Sequence, residues 1–156
     1  MQSFFQWIYG LFDSWYGQGL YKYLAGYNCE QQATITENAL FKPIGIWTLI
    51  ITAFVCIAYY YIINHPRFNR WWSWLIMLGF AGISNFILAF SWIYLDFKNG
   101  DIMDCLLTSE SGSTLIDTSN IIMFGLVNFV VSAIFFTAIT FFIKWGSRNC
   151  KHSPLL

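Results

Sequence analysis

Any chemistry this chain performs must come from a short roster of side chains. It holds four cysteines and two histidines in 156 residues. Cys150 and His152 stand two positions apart and could supply two metal ligands, but a closed zinc site takes four, and no further ligands gather near them in the sequence. Neither His65 nor His152 has a neighbouring acid in sequence to orient an imidazole for acid–base work. No glycine-rich phosphate loop, nucleophile elbow or H-E-x-x-H occurs. The expectation is a non-enzymatic protein with no metal and no cofactor.

Two other sets of residues carry physical meaning. Asn85 lies in "GFAGISNFILAF" and Asn128 in "FGLVNFVVSA", amid apolar runs. At helical spacing Gly82, Asn85 and Ala89 share one face, and Gly125, Asn128 and Ser132 share another. Small and polar residues on one face let membrane helices approach and hydrogen-bond, at about 0.6 kcal/mol per bond on average and about 1.7 at most. Such faces serve packing within one subunit, contact with a partner helix, or the lining of an oligomeric pore, to which Thr137 and Thr140 would add. The second set is Cys29 and Cys105, one in each of two segments flanking the apolar runs. They are the candidate pair for a disulfide, which would contribute about 2–4 kcal/mol.

The elements that must position these residues follow from composition. Of the residues 57% are hydrophobic, 21% aromatic and 10% charged, against about 25% charged in a soluble domain. A soluble chain this small could not hide so much apolar surface. Three uncharged segments reach the length of about 20 residues that a bilayer requires: 44–63, 71–95 and 121–143. None contains Asp, Glu, Lys, Arg or His, whereas proton- or ion-coupled transport usually shows an ionisable group inside a span. Pro43 suits the first turn of the first span, Pro66 falls just after it, and residues 117–120 offer helix caps ahead of the third.

Charge placement predicts orientation. The loop 64–70 holds Arg67 and Arg70 without an acid, and the tail 144–156 holds Lys144, Arg148 and Lys151 without an acid. The loop 96–120 holds Asp96, Asp101, Asp104, Glu110 and Asp117 against Lys98 alone. Short basic loops stay in the cytoplasm. The five cations are therefore the topology determinants: loop and tail inside, the acidic loop and the segment 27–43 outside. Both candidate disulfide cysteines then fall on the outer, oxidising side. Tyr59, Tyr60, Tyr61, Trp71, Trp72, Trp74 and Trp145 are expected at the inner membrane boundary, and Trp47, Trp92 and Tyr94 at the outer one.

Residues 1–26 read as an amphipathic aromatic helix in the interface plane. Ser3, Gln6, Gly10, Asp13, Ser14 and Gly17 form a narrow polar stripe, with Phe4, Phe5, Trp7, Ile8, Leu11, Phe12 and Trp15 around the rest. A fourth span from Phe4 to about Ala25 is the rival, opposed by Asp13 and by three glycines. Gly17–Gly19 is expected to break the helix, with a short second turn ending near Gly26. After Asn99-Gly100 a short helix capped by Asp101 is expected.

The fold class is thus an all-α integral membrane protein with three transmembrane helices plus the N-terminal interfacial helix. The expected location is a cell membrane, a bacterial cytoplasmic one, with the C-terminus cytoplasmic. Its partners are expected to be the lipid bilayer and either further copies of the chain or other membrane subunits. The zero net charge gives no bulk attraction to nucleic acid. Two functions fit: a self-associating subunit or component of a larger envelope complex, and, as the alternative, an oligomeric pore with an uncharged Asn/Ser/Thr lining.

Overall fold

The computed structural model describes residues 4–35, 39–63, 71–108 and 114–143. Arg67, Arg70, Lys144, Arg148 and Lys151 lie outside the described residues, as do His65, Pro66, Trp145, Cys150 and His152.

Among the described residues, three helices are long and apolar enough to cross a membrane. Helix α4 (Phe41–Ile57) continues as a π-helical stretch, Ala58–Ile63. Helix α5 spans Trp71–Asn99 and α7 spans Thr118–Ile143. Pro43 falls in the first turn of α4, where a missing N–H costs no hydrogen bond. The helix starts three residues ahead of the expected boundary, its first turn extending to Phe41. Helix α5 runs past Leu95 through Asp96–Asn99 because nothing in those residues opposes helix. It stops at Gly100, whose φ of 80° is the left-handed conformation that ends helices. Helix α7 begins at Thr118 because Asp117 caps it. The Asp117 carboxylate accepts the Thr118 N–H at 2.7 Å, and its carbonyl accepts the Asn120 and Ile121 N–H groups.

The N-terminal region breaks at Gly17 as expected and once more, after Gly10, where one continuous helix was expected. It forms α1 (Phe4–Gly10), α2 (Asp13–Tyr16) and α3 (Gln18–Leu24). Tight bonds from Leu11 N–H to the Ile8 carbonyl and from Phe12 N–H to the Tyr9 carbonyl close the first break. Gly17, at φ 85°, makes the second. None of these helices exceeds seven residues. A two-residue hairpin follows, β1 (Tyr27–Asn28) paired antiparallel with β2 (Ala33–Thr34), in the register Tyr27 to Thr34. The Asn28 side chain accepts the Glu30 N–H at 2.9 Å and forms the turn. Asp101 does not cap the short helix after Gly100. Helix α6 is Asp104–Leu107, preceded by extended Met103, and the Asp101 N–H turns back to the Asp96 carbonyl at 3.0 Å.

The chain divides into two compact units, one comprising Met1–Ile46 and Phe86–Val127, the other Trp47–Asn85 and Asn128–Leu156. The first unit is built around tyrosines. The Tyr9 ring lies 5.5 Å from both Phe41 and Phe124, and Tyr16 meets Phe124 edge-on at 5.3 Å. Such pairs add about 0.5–1.5 kcal/mol each beyond the area they bury. The Tyr16 hydroxyl donates to the Tyr9 carbonyl at 3.0 Å, and the Asn120 amide donates to the Tyr16 carbonyl at 2.9 Å. Phe5 packs directly over Gly45, where no side chain would fit. The N-terminal helices are therefore docked onto α4 and α7.

The second unit has its own core of Val55, Cys56, Tyr59, Tyr60, Trp74, Ala81 and Phe136. Tyr59, Tyr60 and Trp74 thus pack into the interior of this unit. The π-helical stretch widens the turn, so neighbouring Tyr59 and Tyr60 both point in, their rings 4.8 Å apart. Tyr61, Trp71, Trp72 and Trp47 remain exposed, as boundary aromatics would be.

Candidate functional site

Three features outside the ordinary apolar packing deserve a chemical reading: a buried polar network, a disulfide-stapled surface and an exposed aromatic face.

The network lies in the second unit. Asn85, Asn128 and Ser132 are fully buried, together with Thr48 and Thr52 of α4. The Asn128 amide donates to the Asn85 carbonyl at 2.8 Å, and its oxygen accepts from the Thr48 hydroxyl at 3.1 Å. The Asn85 amide donates to Ser132 Oγ at 2.9 Å, Thr52 Oγ1 at 3.1 Å and the Ala81 carbonyl at 3.0 Å. Thr52 and Ser132 lie 3.0 Å apart, and the Thr52 hydroxyl also reaches the Thr48 carbonyl at 2.7 Å. Asn85 Oδ1 has no hydrogen-bond partner among the described residues. Two amide groups point their N–H donors into this cluster, which makes it a poor cage for a cation. Its chemistry is helix-to-helix hydrogen bonding in a low dielectric.

The sequence pattern singled out Asn85, Asn128 and Ser132, and the structure brings them together. The glycines on the same faces do something more specific than admit a neighbouring backbone. A Cβ at Gly82 would come within 2.5 Å of the Phe129 ring, and one at Gly125 within 2.8 Å of the Phe86 ring. Each glycine is a socket for a phenylalanine of the facing helix. Thr140 accepts the Trp74 indole N–H at 3.4 Å and is buried. Thr137 bonds back to its own helix at the Ala133 carbonyl. Thr48 and Thr52 were missed in sequence. Their four-residue spacing was the available signal, hidden because threonine is common in apolar helices.

The stapled surface lies in the first unit. Cys29 and Cys105 form a disulfide, with 6.6 Å between Cα atoms and 76 residues between them in sequence. It ties the β1–β2 hairpin to α6. The Tyr23 hydroxyl donates to an Asp96 carboxylate oxygen at 3.1 Å, joining α3 to the end of α5. Burial pushes the hydroxyls of Tyr16 and Tyr23 well above the ordinary tyrosine range, with Tyr21 and Asp13 adding at Tyr16 and Asp96 adding at Tyr23. Both rings are therefore neutral, hydrogen-bonding anchors. Cys56 is a free, buried thiol of the second unit.

The aromatic face belongs to the N-terminal helices. Phe4, Trp7, Leu11 and Trp15 are 61%, 58%, 60% and 55% exposed. Tyr9, Tyr16, Leu20 and Leu24 of the same segment are fully buried. Apolar residues therefore cover both sides of it, one side spent on the protein and the other unspent. Among the described residues no three metal-ligating side chains gather.

These features and the three long apolar helices define a helical membrane protein with an N-terminal segment packed against its spans. Comparison with protein-family models, curated proteins and solved structures gives no match.

Proposed function

We propose that this chain is a non-enzymatic, small polytopic membrane subunit that works by contact, either with further copies of itself or with another membrane protein of an envelope complex. The observation that carries this reading is the exposed face of Phe4, Trp7, Leu11 and Trp15. It is held in place from behind by Tyr9, Tyr16 and the Asn120 bond. Large exposed aromatics on a fixed support are what interface anchors and partner contacts share. In this reading the N-terminal segment lies in the interface plane of the bilayer. The lengths of α1, α2 and α3 support that over a fourth span, which would need about 20 residues of unbroken helix. The proposed location is a cell membrane of bacterial cytoplasmic type, with the C-terminus inside. The disulfide supports an outer, oxidising position for the first unit's loops.

The pore alternative draws on Asn85, Asn128, Ser132, Thr137 and Thr140. Four of the five are buried within the second unit, so a ring of such subunits would not present them to water without repacking.

Native mass spectrometry of the tagged chain, extracted in mild detergent, tests the proposal. The expected result is a fixed complex with a second copy or another membrane protein. It should be lost in the Trp7→Ser, Trp15→Ser double variant while the Cys29–Cys105 bond persists. Stepwise bilayer currents from the purified chain, altered by Asn128→Leu, would replace this reading with the pore.

A further inference from the structure

The first unit contains a cleft of about 220 Å³ between α3, the hairpin and the Gly100–Leu107 segment. Its lining combines three kinds of surface. Leu40, Met103 and Leu106 are apolar, Tyr23 and Tyr27 present aromatic rings, and Asp101 supplies a carboxylate. No basic residue among the described residues lines it. The volume falls below the roughly 300–1,000 Å³ of small-molecule and cofactor sites. It suits a single side chain.

The charges around the cleft are one-sided. Of the charged residues described in this unit, six are acidic and three basic. A second carboxylate stands behind the lining, because Asp96 accepts the Tyr23 hydroxyl and its carbonyl accepts the Asp101 N–H. Lys98 is engaged elsewhere, 6.0 Å from the Tyr94 ring, whereas Lys22 lies 5.7 Å from the ring of Tyr27, the wall shared with a neighbouring cleft that Lys22 lines, and leaves the Tyr23 and Asp101 side of this cleft without a cation of its own. A negative field with aromatic walls and an apolar lining matches an alkyl stem that ends in a cation.

The geometry points to this cleft as the receptor for a guanidinium or alkylammonium group, an arginine or lysine side chain of a partner chain or a free organic cation of the same chemistry. A partner that brings the cation is what the subunit reading supplies.

The test is a methyl NMR titration of the full, oxidised chain in nanodiscs, with [13C-methyl]methionine labelling. Met103 lines the cleft and Met77 lies in the other unit. The probes are acetyl-Gly-Arg-Gly amide for the peptide source, tetramethylammonium for the free cation, and acetyl-Gly-Gln-Gly amide as the uncharged control. A saturable Met103 shift with either cation, a still Met77 and no shift with the glutamine peptide are expected. Asp101→Asn should weaken binding by about tenfold or more, the loss of one charge contact, and Asp104→Asn should not. Whichever cation binds identifies the source. A Met103 signal unmoved by both cations, an equal response to the glutamine peptide, or unchanged binding in Asp101→Asn overturns the assignment. Because the titration needs no partner, a flat result removes the cleft and leaves the subunit reading to its mass measurement.

Discussion

Asn128→Leu should destabilise the second unit by about 2 kcal/mol. The substitution keeps the side-chain volume nearly constant, so little of the loss comes from a cavity. It removes two hydrogen bonds, to the Asn85 carbonyl and from the Thr48 hydroxyl. At about 0.6–1.7 kcal/mol per bond between membrane helices, the sum is about 1–3 kcal/mol. A buried hydroxyl left without any acceptor would add about 1–3 kcal/mol, but Thr48 can turn to a carbonyl of its own helix. That escape keeps the value in the middle of the range. Reversible unfolding in mixed detergent micelles, followed by tryptophan emission, measures it. Thr48→Val breaks one of the same two bonds, so the double variant must fall short of additivity by about 0.6–1.7 kcal/mol. Ser84→Ala is the control: Ser84 bonds to the Phe80 carbonyl one turn away, within its own helix, and its loss should cost under about 0.5 kcal/mol. An Asn128→Leu value within about 0.3 kcal/mol of the parent, or strict additivity with Thr48→Val, would refute the reasoning that this network joins the helices.

Reduction of Cys29–Cys105, or its replacement by two serines, should cost about 2–4 kcal/mol and leave the second unit's unfolding unchanged; a non-reducing gel with thiol alkylation reports the bond itself. Gly45→Ala should dislodge the N-terminal helices, because its Cβ would collide with the Phe5 ring, and Phe5→Ala in the same chain should restore protection of that segment from protease. Stability should hold up to about pH 10 and fall above it. Tyr16 and Tyr23 keep their protons more tightly folded than unfolded, where the value is 10.0, so alkali draws the chain toward the unfolded state. Thermal unfolding from pH 8 upward reads this, and Tyr16→Phe with Tyr23→Phe should flatten the slope. Stability that rises through that window would contradict the burial of both hydroxyls.

Much of this structure was legible because lipid permits few solutions. Uncharged runs of twenty residues have one stable form in a bilayer, so α4, α5 and α7 could be read within a few residues of their ends. Asn85, Asn128 and Ser132 stood out for the same reason: each is an expensive residue in its surroundings. What failed to show in the sequence depended on contacts distant along the chain. The break at Gly17 could be read from its glycines, but the break after Gly10 interrupts an apolar pattern that continues through Leu11 and Phe12. It exists because Tyr9 and Tyr16 both bury against Phe124, more than a hundred residues later. The inward turn of Tyr59 and Tyr60 follows a π-helical stretch that leaves no compositional mark. The β1–β2 hairpin is two residues deep and too short for an alternating pattern.

The distribution of polar groups constrains where such a chain can act. Inside the second unit, Thr48, Thr52, Asn85, Asn128, Ser132 and Thr140 all bond inward. Most of the large exposed residues on the long helices are of another kind, among them Phe54, Ile76, Phe80, Ile83, Ile87, Ile134 and Phe142. Lipid tails satisfy those side chains as well as a protein would, so the spans offer little that distinguishes one partner from another. Selective contact must then fall where amphipathic groups are exposed: in the first unit Trp7 and Trp15 on the N-terminal helices and the tyrosine-and-carboxylate cleft beside α6, and in the second unit Trp47, Tyr61, Trp71 and Trp72. Substitutions should divide accordingly. Changes in the buried network should move unfolding and leave association intact, while changes at Trp7, Trp15 or Asp101 should move association and leave unfolding intact.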